Sequence, residues 1–160
     1  FGRTDGNLTR EAKGIEEELN KAGIPAELSA NVLETLWTKF IFIASVAGVS
    51  AACRTRLGVL MKIGGYRDLL IGTMKEIEIV AKRKGICLDN DIVERTMGYV
   101  TDAVKDITAS MHLDLERGRK LELDALNGSV VRMGREVGIP TPLNETLYLV
   151  LKPFIKGGGL

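Results

Sequence analysis

Apolar side chains recur every three to four residues along most of this chain, with charged residues between them. This spacing places the apolar positions on one face of an α-helix, whereas a half-buried strand would alternate every two residues. The pattern predicts helices over residues 8–22, 31–52, 66–84, 91–107, 120–137 and 142–154, with a short helix between 110 and 118.

Glycine and proline mark where several of these helices begin or end. Gly85 follows the third long helix, as glycine commonly does at a helix C-terminus. Gly118 interrupts a helical pattern at a cost of about 1 kcal/mol relative to alanine, so we expect a turn there. Thr141 followed by Pro142 predicts the cap and start of the last helix. The glycines at 157–159 predict a frayed tail.

The helix predicted over residues 31–52 is apolar nearly all round in its second half. Such a helix is buried on several sides and forms the core of a domain. Its uncharged run, residues 40–52, is shorter than the roughly 18–20 residues that a membrane-spanning helix needs. We therefore expect a central core helix and no membrane insertion.

Residues 1–28 have a different pattern from the rest of the chain. They predict a short strand, a helix and a second short strand, and their first residues resemble a strand end and turn that continue from something upstream. No stretch after Leu28 alternates as a strand would. The predicted fold class is therefore all-α, with a multi-helix domain over residues 29–160 and a small α/β remnant over residues 1–28.

Composition excludes several classes of protein. The chain has 160 residues, 45% of them hydrophobic, with 22 Lys and Arg against 21 Asp and Glu. It can bury a full core, but it lacks the basic excess expected of a protein that binds nucleic acid. Cys53 and Cys87 are too few for a disulfide scaffold and are not spaced as zinc ligands, which favours a reducing, cytoplasmic setting. His112 is the lone histidine, so we expect neither a metal cluster nor a catalytic triad.

Lys39 is the most informative candidate for chemistry. Its i−4 and i+4 neighbours are Thr35 and Ile43, so no acid on the same helix can pair with it at that spacing. Apolar surroundings disfavour an ammonium group, which would suit Lys39 to deliver a proton. The alternative is a lysine whose stem lies along the helix and whose amine reaches water. The sequence leaves both interpretations open.

Other polar residues carry weaker signals. Composition alone favours a solvated surface acid at Glu122 and a helix cap at Ser110. Arg54 and Arg56 follow the apolar helix with guanidinium groups that suit a carboxylate, although a helix dipole also favours basic residues at this end. The chain contains no Gly-x-Gly-x-x-Gly, so it does not offer the usual dinucleotide fingerprint by itself.

Short segments along the chain form a combined pattern. They are Trp37-Thr38-Lys39-Phe40, Ser110-Met111-x-x-Asp114, Glu122 followed by Leu126-Asn127-Gly128, and Gly138-Ile139-Pro140-Thr141-Pro142. In order and spacing this pattern resembles the C-terminal domain of 2-dehydropantoate 2-reductase, also called ketopantoate reductase. The resemblance covers essentially the whole chain.

The resemblance implies a helical domain of the 6-phosphogluconate-dehydrogenase-like type, preceded in the same chain by a Rossmann-type domain that binds NADPH and ends in residues 1–28. The family reduces ketopantoate to pantoate for pantothenate and coenzyme A biosynthesis, with the substrate in the cleft between the domains. By position, Lys39 would be the general acid that protonates the developing alkoxide. Glu122 would orient or charge-balance Lys39, and Ser110 would hydrogen-bond the substrate carboxylate. We expect the isolated chain to be inactive, because most of the cofactor site is missing.

One departure from the family bears on the substrate. Well-known members have asparagines one and two helical turns after the lysine, where this chain has Ile43 and Ala47. Loss of these donors should alter which 2-oxoacid binds, and Arg54 or Arg56 could take its carboxylate instead. One alternative is a sister reductase of a bulkier or branched 2-oxoacid. The other is a non-catalytic helical module whose apolar faces bury against a second copy in a homodimer.

Overall fold

A computed structural model describes residues 1–103 and 108–158 of the chain. Across these ranges the regular structure is helical and contains no strand, which confirms the all-α prediction. The helices are α1 (Arg10–Lys21), α2 (Val32–Cys53), α3 (Leu57–Leu60), α4 (Tyr66–Arg83), α5 (Ile92–Ala103), α6 (Ser110–Glu116), α7 (Asn127–Glu136) and α8 (Pro142–Leu151), with a 3₁₀ turn at Lys152–Phe154. The predicted end of α5 at residue 107 lies outside the described residues.

The chain divides into two compact units, Phe1–Trp37 and Thr38–Leu160. The sequence predicted a boundary after residue 28, whereas the structural division falls inside α2. The first turn of α2 packs with the N-terminal segment, because a Cβ added at Gly2 would lie 3.1 Å from the Cβ of Val32. The assignment of residues 1–28 to the end of a nucleotide-binding domain stays a prediction.

Within the first unit, α1 lies between two extended segments. The terminal amine of Phe1 donates to the carbonyl of Glu27 at 2.9 Å, and the N–H of Ser29 donates to the carbonyl of Phe1 at 2.8 Å. These are the hydrogen bonds of parallel pairing between Phe1 and Leu28. The predicted helix is therefore present, and the two predicted strands amount to this single point of pairing.

Within the second unit, α2 is the core helix, as predicted. Its buried stretch includes the small residues Ala44, Ser45, Ala47, Gly48, Ser50 and Ala51. A Cβ added at Gly48 would lie 2.7 Å from Oδ1 of Asn127, so the start of α7 packs directly on the α2 backbone. α2 is long and apolar enough to satisfy a length-and-composition criterion for a membrane span, but half of that stretch is buried inside the protein. Interior packing accounts for its composition.

A buried network of amides and one carboxylate joins α2, α4, α7 and α8. Nδ2 of Asn127 donates to the carbonyl of Ala44 at 3.3 Å and to Oδ1 of Asn144 at 3.0 Å. Nδ2 of Asn144 donates in turn to the carboxylate of Glu76 at 2.7 Å and to the carbonyl of Thr73 at 3.2 Å. Because buried polar groups are costly unless bonded, this network fixes how the four helices meet.

The N-terminus of α8 is capped by a residue from another helix. Thr141 occupies the predicted N-cap position, but its side chain makes no capping hydrogen bond. The carboxylate of Glu76 on α4 instead accepts the backbone N–H groups of Leu143 and Asn144, at 2.8 and 2.9 Å. A negative charge at this end also interacts favourably with the helix dipole.

Two sequence predictions near the end of the chain were wrong in detail. The helix predicted over 120–137 begins only at Asn127, and Leu121 and Leu123 before it are both buried. A spacing of two residues suits an extended segment and not a helix. The tail predicted to fray is hydrogen-bonded, since the N–H of Gly158 donates to the carbonyl of Gly118 at 2.9 Å. Residue 159 lies outside the described ranges.

Candidate active site

Lys39, the candidate general acid, lies on one side of α2 together with two residues further along the helix, a row that we call the α2 stripe. Lys39, Ile43 and Ala47 are spaced four residues apart, so they follow one side of the helix. Lys39 is exposed and Ile43 is half-buried, whereas Ala47 retains only 4% of its accessible surface. The stripe therefore runs from an exposed cation to a core position about 12 Å further along the helix.

We call residues 118–126, between α6 and α7, the Glu122 segment. The sequence had predicted Glu122 on a helix, whereas the structure places it on this loop. Leu121 and Leu123 pack in one hydrophobic cluster with Ala47 of α2, while Glu122 between them is exposed. The cluster thus anchors the backbone of Glu122 beside the buried end of the α2 stripe, and the carboxylate faces solvent.

Ser110 precedes a residue that packs in the same hydrophobic cluster as Ala47 of α2. It is the first residue of α6 and is exposed, while the next residue, Met111, belongs to the cluster that contains Ala47 and Leu121. Gly118, with φ of 62°, provides the turn that the sequence predicted after this short helix. Met111, next to Ser110, and Leu121, next to Glu122, therefore share one hydrophobic cluster with Ala47 of α2.

Lys39 and Glu122 do not pair directly in this structure. Both side chains are exposed, and over residues 1–103 and 108–158 no ion pair joins them. Phe40 and Ile43 beside the lysine are only half-buried, so the apolar enclosure that the sequence suggested is not complete. Within this chain the alternative interpretation, a lysine whose amine reaches water, describes Lys39 better.

Arg54 and Arg56 lie at the opposite end of α2 from Lys39. α2 is unbroken as far as Cys53, and its rise separates the α-carbons of Lys39 and Cys53 by about 21 Å. Arg54 follows in a left-handed conformation with φ of 47°, and its guanidinium carbon lies 5.4 Å from the centre of the Phe154 ring. The structure therefore separates Arg54 and Arg56 from Lys39, and their role in binding the substrate carboxylate stays a prediction.

Arg54→Gly is expected to change the stability of the fold little, although it removes the guanidinium group from the face of the Phe154 ring. Glycine relieves about 1 kcal/mol of left-handed strain, which offsets the loss of about 0.5–1 kcal/mol of stacking on Phe154. A thermal melt checks this expectation. A fall of more than about 5 °C in the melting temperature would show that the stacking on Phe154 contributes more than the backbone strain costs.

Tyr148 and Asp124 form a contact that the sequence did not reveal. The hydroxyl of Tyr148 on α8 donates to Oδ1 of Asp124 at 2.8 Å. This hydrogen bond to a carboxylate raises the pKa of Tyr148 above its ordinary value, because ionisation would remove the donor and place two negative charges together. Nη2 of Arg132 on α7 donates to the backbone carbonyl of Asp124 at 2.8 Å. Only the packing of α7 and α8 against the Glu122 segment creates these contacts.

Residues 31–154 match the family model described as ketopantoate reductase PanE/ApbA C terminal. The chain is 30% identical over 151 residues to the 2-dehydropantoate 2-reductase of Archaeoglobus fulgidus, across 94% of this chain and 50% of that protein. More generally, the chain spans about half the length of the curated relatives it matches.

Solved structures show the same arrangement of helices. A PanE/ApbA family ketopantoate reductase from Ralstonia eutropha superposes with a TM-score of 0.83 at 29% identity, over 91% of this chain and 49% of that one. A D-mandelate dehydrogenase solved in complex with NADH superposes with a TM-score of 0.82 at 21% identity, over 95% of this chain and 52% of that one. The second likeness shows a shared fold alone.

Proposed function

Because the chain belongs to the family of ketopantoate reductase C-terminal domains, we propose that it is the helical half of an NADPH-dependent 2-dehydropantoate 2-reductase. The family match over residues 31–154 is the observation that carries this proposal. Since the relatives are about twice as long, we assign the nucleotide-binding role to the half that they have in addition.

We assign the binding of the NADPH pyrophosphate to that other half, because this chain lacks the usual glycine-rich turn. The chain has no Gly-x-Gly-x-x-Gly turn of the kind that holds a dinucleotide pyrophosphate. NADPH would supply the hydride that adds to the C2 carbonyl of the substrate. What remains for the residues of this chain is to hold the 2-oxoacid and to provide a proton.

Lys39 is the group we assign to proton donation. It is exposed at the open end of the α2 stripe, and no acid follows it on that stripe at Ile43 or Ala47. When hydride adds to a carbonyl, the oxygen becomes an alkoxide that a neighbouring ammonium group can stabilise and protonate. Covering this face by the other half of the enzyme would remove water from around the amine and strengthen both effects.

Glu122 and Ser110 supply the remaining polar groups. Both are exposed, and their anchoring neighbours meet at Ala47, about 12 Å along α2 from Lys39. We assign Ser110 to the substrate carboxylate through its hydroxyl. We assign Glu122 to orienting or charge-balancing Lys39 when substrate is bound, since a carboxylate stabilises a nearby ammonium group.

The second candidate is a reductase of a different, more apolar 2-oxoacid. Ala47 is covered by Leu121 and Leu123, so Ile43 is the side chain of the stripe that can face a substrate between Lys39 and Glu122. Ile43 offers no hydrogen-bond donor. A site with an apolar wall here would bind an alkyl 2-oxoacid as readily as one that carries a hydroxyl.

A matched pair of substrates separates these candidates. We expect the full-length protein to oxidise NADPH with ketopantoate and to use it at least about tenfold better, in kcat/KM, than its analogue without the hydroxyl, 3,3-dimethyl-2-oxobutanoate. Equal or better use of the analogue favours the sister reductase. Binding of NADPH without turnover of any 2-oxoacid would contradict both and leave a non-catalytic helical module.

A further inference from the structure

The Glu122 segment is paired along its backbone with the last described residues of the chain. The N–H of Leu121 donates to the carbonyl of Ile155 at 3.0 Å, and the N–H of Gly158 donates to the carbonyl of Gly118 at 2.9 Å. The partner residue moves backwards as the Glu122 segment moves forwards, so the two stretches run antiparallel. We call residues 155–158 the C-terminal strap.

Gly157 lies at the tightest point of this pairing. Its φ is +75°, and a Cβ added there would lie 2.5 Å from the carbonyl oxygen of Gly118 and 2.9 Å from the carbonyl carbon of Arg119. These neighbours are backbone atoms that cannot rotate away. Any larger residue at position 157 must therefore move the strap away from the Glu122 segment.

The other side of the segment is held by the helix that leads into the strap. Tyr148 of α8 donates to Oδ1 of Asp124 at 2.8 Å, and Leu151 at the end of α8 lies in the cluster with Leu121 and Leu123. α8 continues through the 3₁₀ turn Lys152–Phe154 into the strap. One continuous piece of chain thus contacts the Glu122 segment both before and after Glu122.

We propose that the strap and Tyr148 position Glu122 for reduction of the 2-oxoacid, so that Gly157 and Tyr148 are positioning residues of the enzyme. This inference rests on the proposed function, in which Glu122 acts on Lys39 in the substrate complex. The side chain of Glu122 is exposed, so the backbone on either side sets its starting point and the direction of its Cα–Cβ bond. Misplacement of a reacting group by about 1 Å can lower a rate about 10²-fold.

The test replaces Gly157 with alanine in the full-length enzyme. We expect kcat to fall at least about tenfold, with KM for the 2-oxoacid changed less than about threefold. Gly138→Ala is the matched control, because Gly138 has φ of +71° and no atom within 4 Å of an added Cβ. It imposes the same backbone strain without touching the Glu122 segment, and its kcat should stay within about twofold of the wild type.

Repeating the substitution in a Glu122→Gln enzyme distinguishes an effect on the position of Glu122 from a general loss of structural order. In an enzyme that already carries Glu122→Gln, Gly157→Ala should lower kcat no further, because the group through which it acts is gone. Tyr148→Phe keeps the ring, removes the hydroxyl bonded to Asp124, and should show a smaller loss with the same dependence on Glu122. Equal losses in both backgrounds would overturn the proposal.

Amide hydrogen exchange tests, without any measurement of activity, whether the C-terminal strap holds the Glu122 segment in place. We expect exchange over residues 119–126 to be at least about tenfold faster in Gly157→Ala than in Gly138→Ala. Equal exchange in the two variants would refute the attachment, even if kcat had changed. If the wild-type enzyme reduces no 2-oxoacid, the proposed function fails, and this exchange measurement still decides whether the strap holds the segment.

Discussion

Lys39→Ala is expected to lower kcat of the full-length enzyme by about 10²–10⁴-fold, the usual worth of a well-placed general acid. Lys39 is exposed on α2, so its removal should change the stability of the fold by less than about 0.5 kcal/mol. Because the proton is needed in the transition state and not for binding, kcat and kcat/KM should fall together. Initial rates of NADPH oxidation at varied 2-oxoacid concentration give both quantities.

Two further variants separate proton donation from charge. Lys39→Arg keeps the positive charge, but a guanidinium group does not release its proton near neutral pH, so its activity should also stay far below that of the wild type. Lys75→Ala removes an exposed lysine from α4 and should have little effect. Full activity of Lys39→Ala would remove the proposed acid, and full activity of Lys39→Arg would reduce its role to electrostatics.

The largest expected effect on stability comes from Asn144→Leu. Asn144 is fully buried, and its amide bonds to Asn127, Thr73 and Glu76. Leucine would leave a buried carbonyl, an amide and part of a carboxylate without their partner, at a cost of about 2–4 kcal/mol. For a protein of this size we expect the melting temperature to fall by roughly 5–10 °C.

Calorimetry of the full-length protein measures that shift. Thr146→Val is the matched control, since Thr146 is an exposed residue of the same helix whose hydroxyl bonds only its own helix backbone at Pro142. Its melting temperature should remain within about 2 °C of the wild type. A shift for Asn144→Leu no larger than that of Thr146→Val would show that the buried network contributes little to stability.

Much of the fold follows from the spacing of apolar residues. Both ends of α2 and α4 and the start of α8 were predicted to within one residue, because the apolar faces of these helices recur every three to four positions. The end of α8 was predicted three residues too late, since its last turn is a 3₁₀ turn. The start of α7 was missed because Leu121 and Leu123 were taken as part of a helical pattern. Their alternation suits an extended segment, and only its pairing with the end of the chain reveals why it is extended.

The candidate site was partly accessible from the sequence. The family resemblance is confirmed by the match over residues 31–154, and the predicted turn at Gly118 is present between Ser110 and Glu122. The role predicted for Arg54 stays a prediction. The length of α2 separates Arg54 from Lys39 along the helix, and only the unbroken helix shows this separation.

The contacts around Glu122 could not have been read from the sequence. Tyr148 and Asp124 are 24 positions apart, and each is unremarkable as a surface residue until α8 packs beside the loop. Gly157 likewise appeared to belong to a flexible tail. Its requirement for glycine becomes visible only when the carbonyl oxygen of Gly118 lies 2.5 Å from where a Cβ would be.

The antiparallel pairing of residues 118–121 with residues 155–158 also constrains how this domain can be recombined with its relatives. A hybrid gene whose crossover falls between these stretches would inherit one half of the pairing from each parent, and any residue larger than glycine at position 157 would then meet the backbone of the other parent. Exchanging residues 118–158 as one block, which includes α7 and α8, keeps both halves of the pairing from the same parent. Swaps confined to residues before α6 leave this pairing untouched.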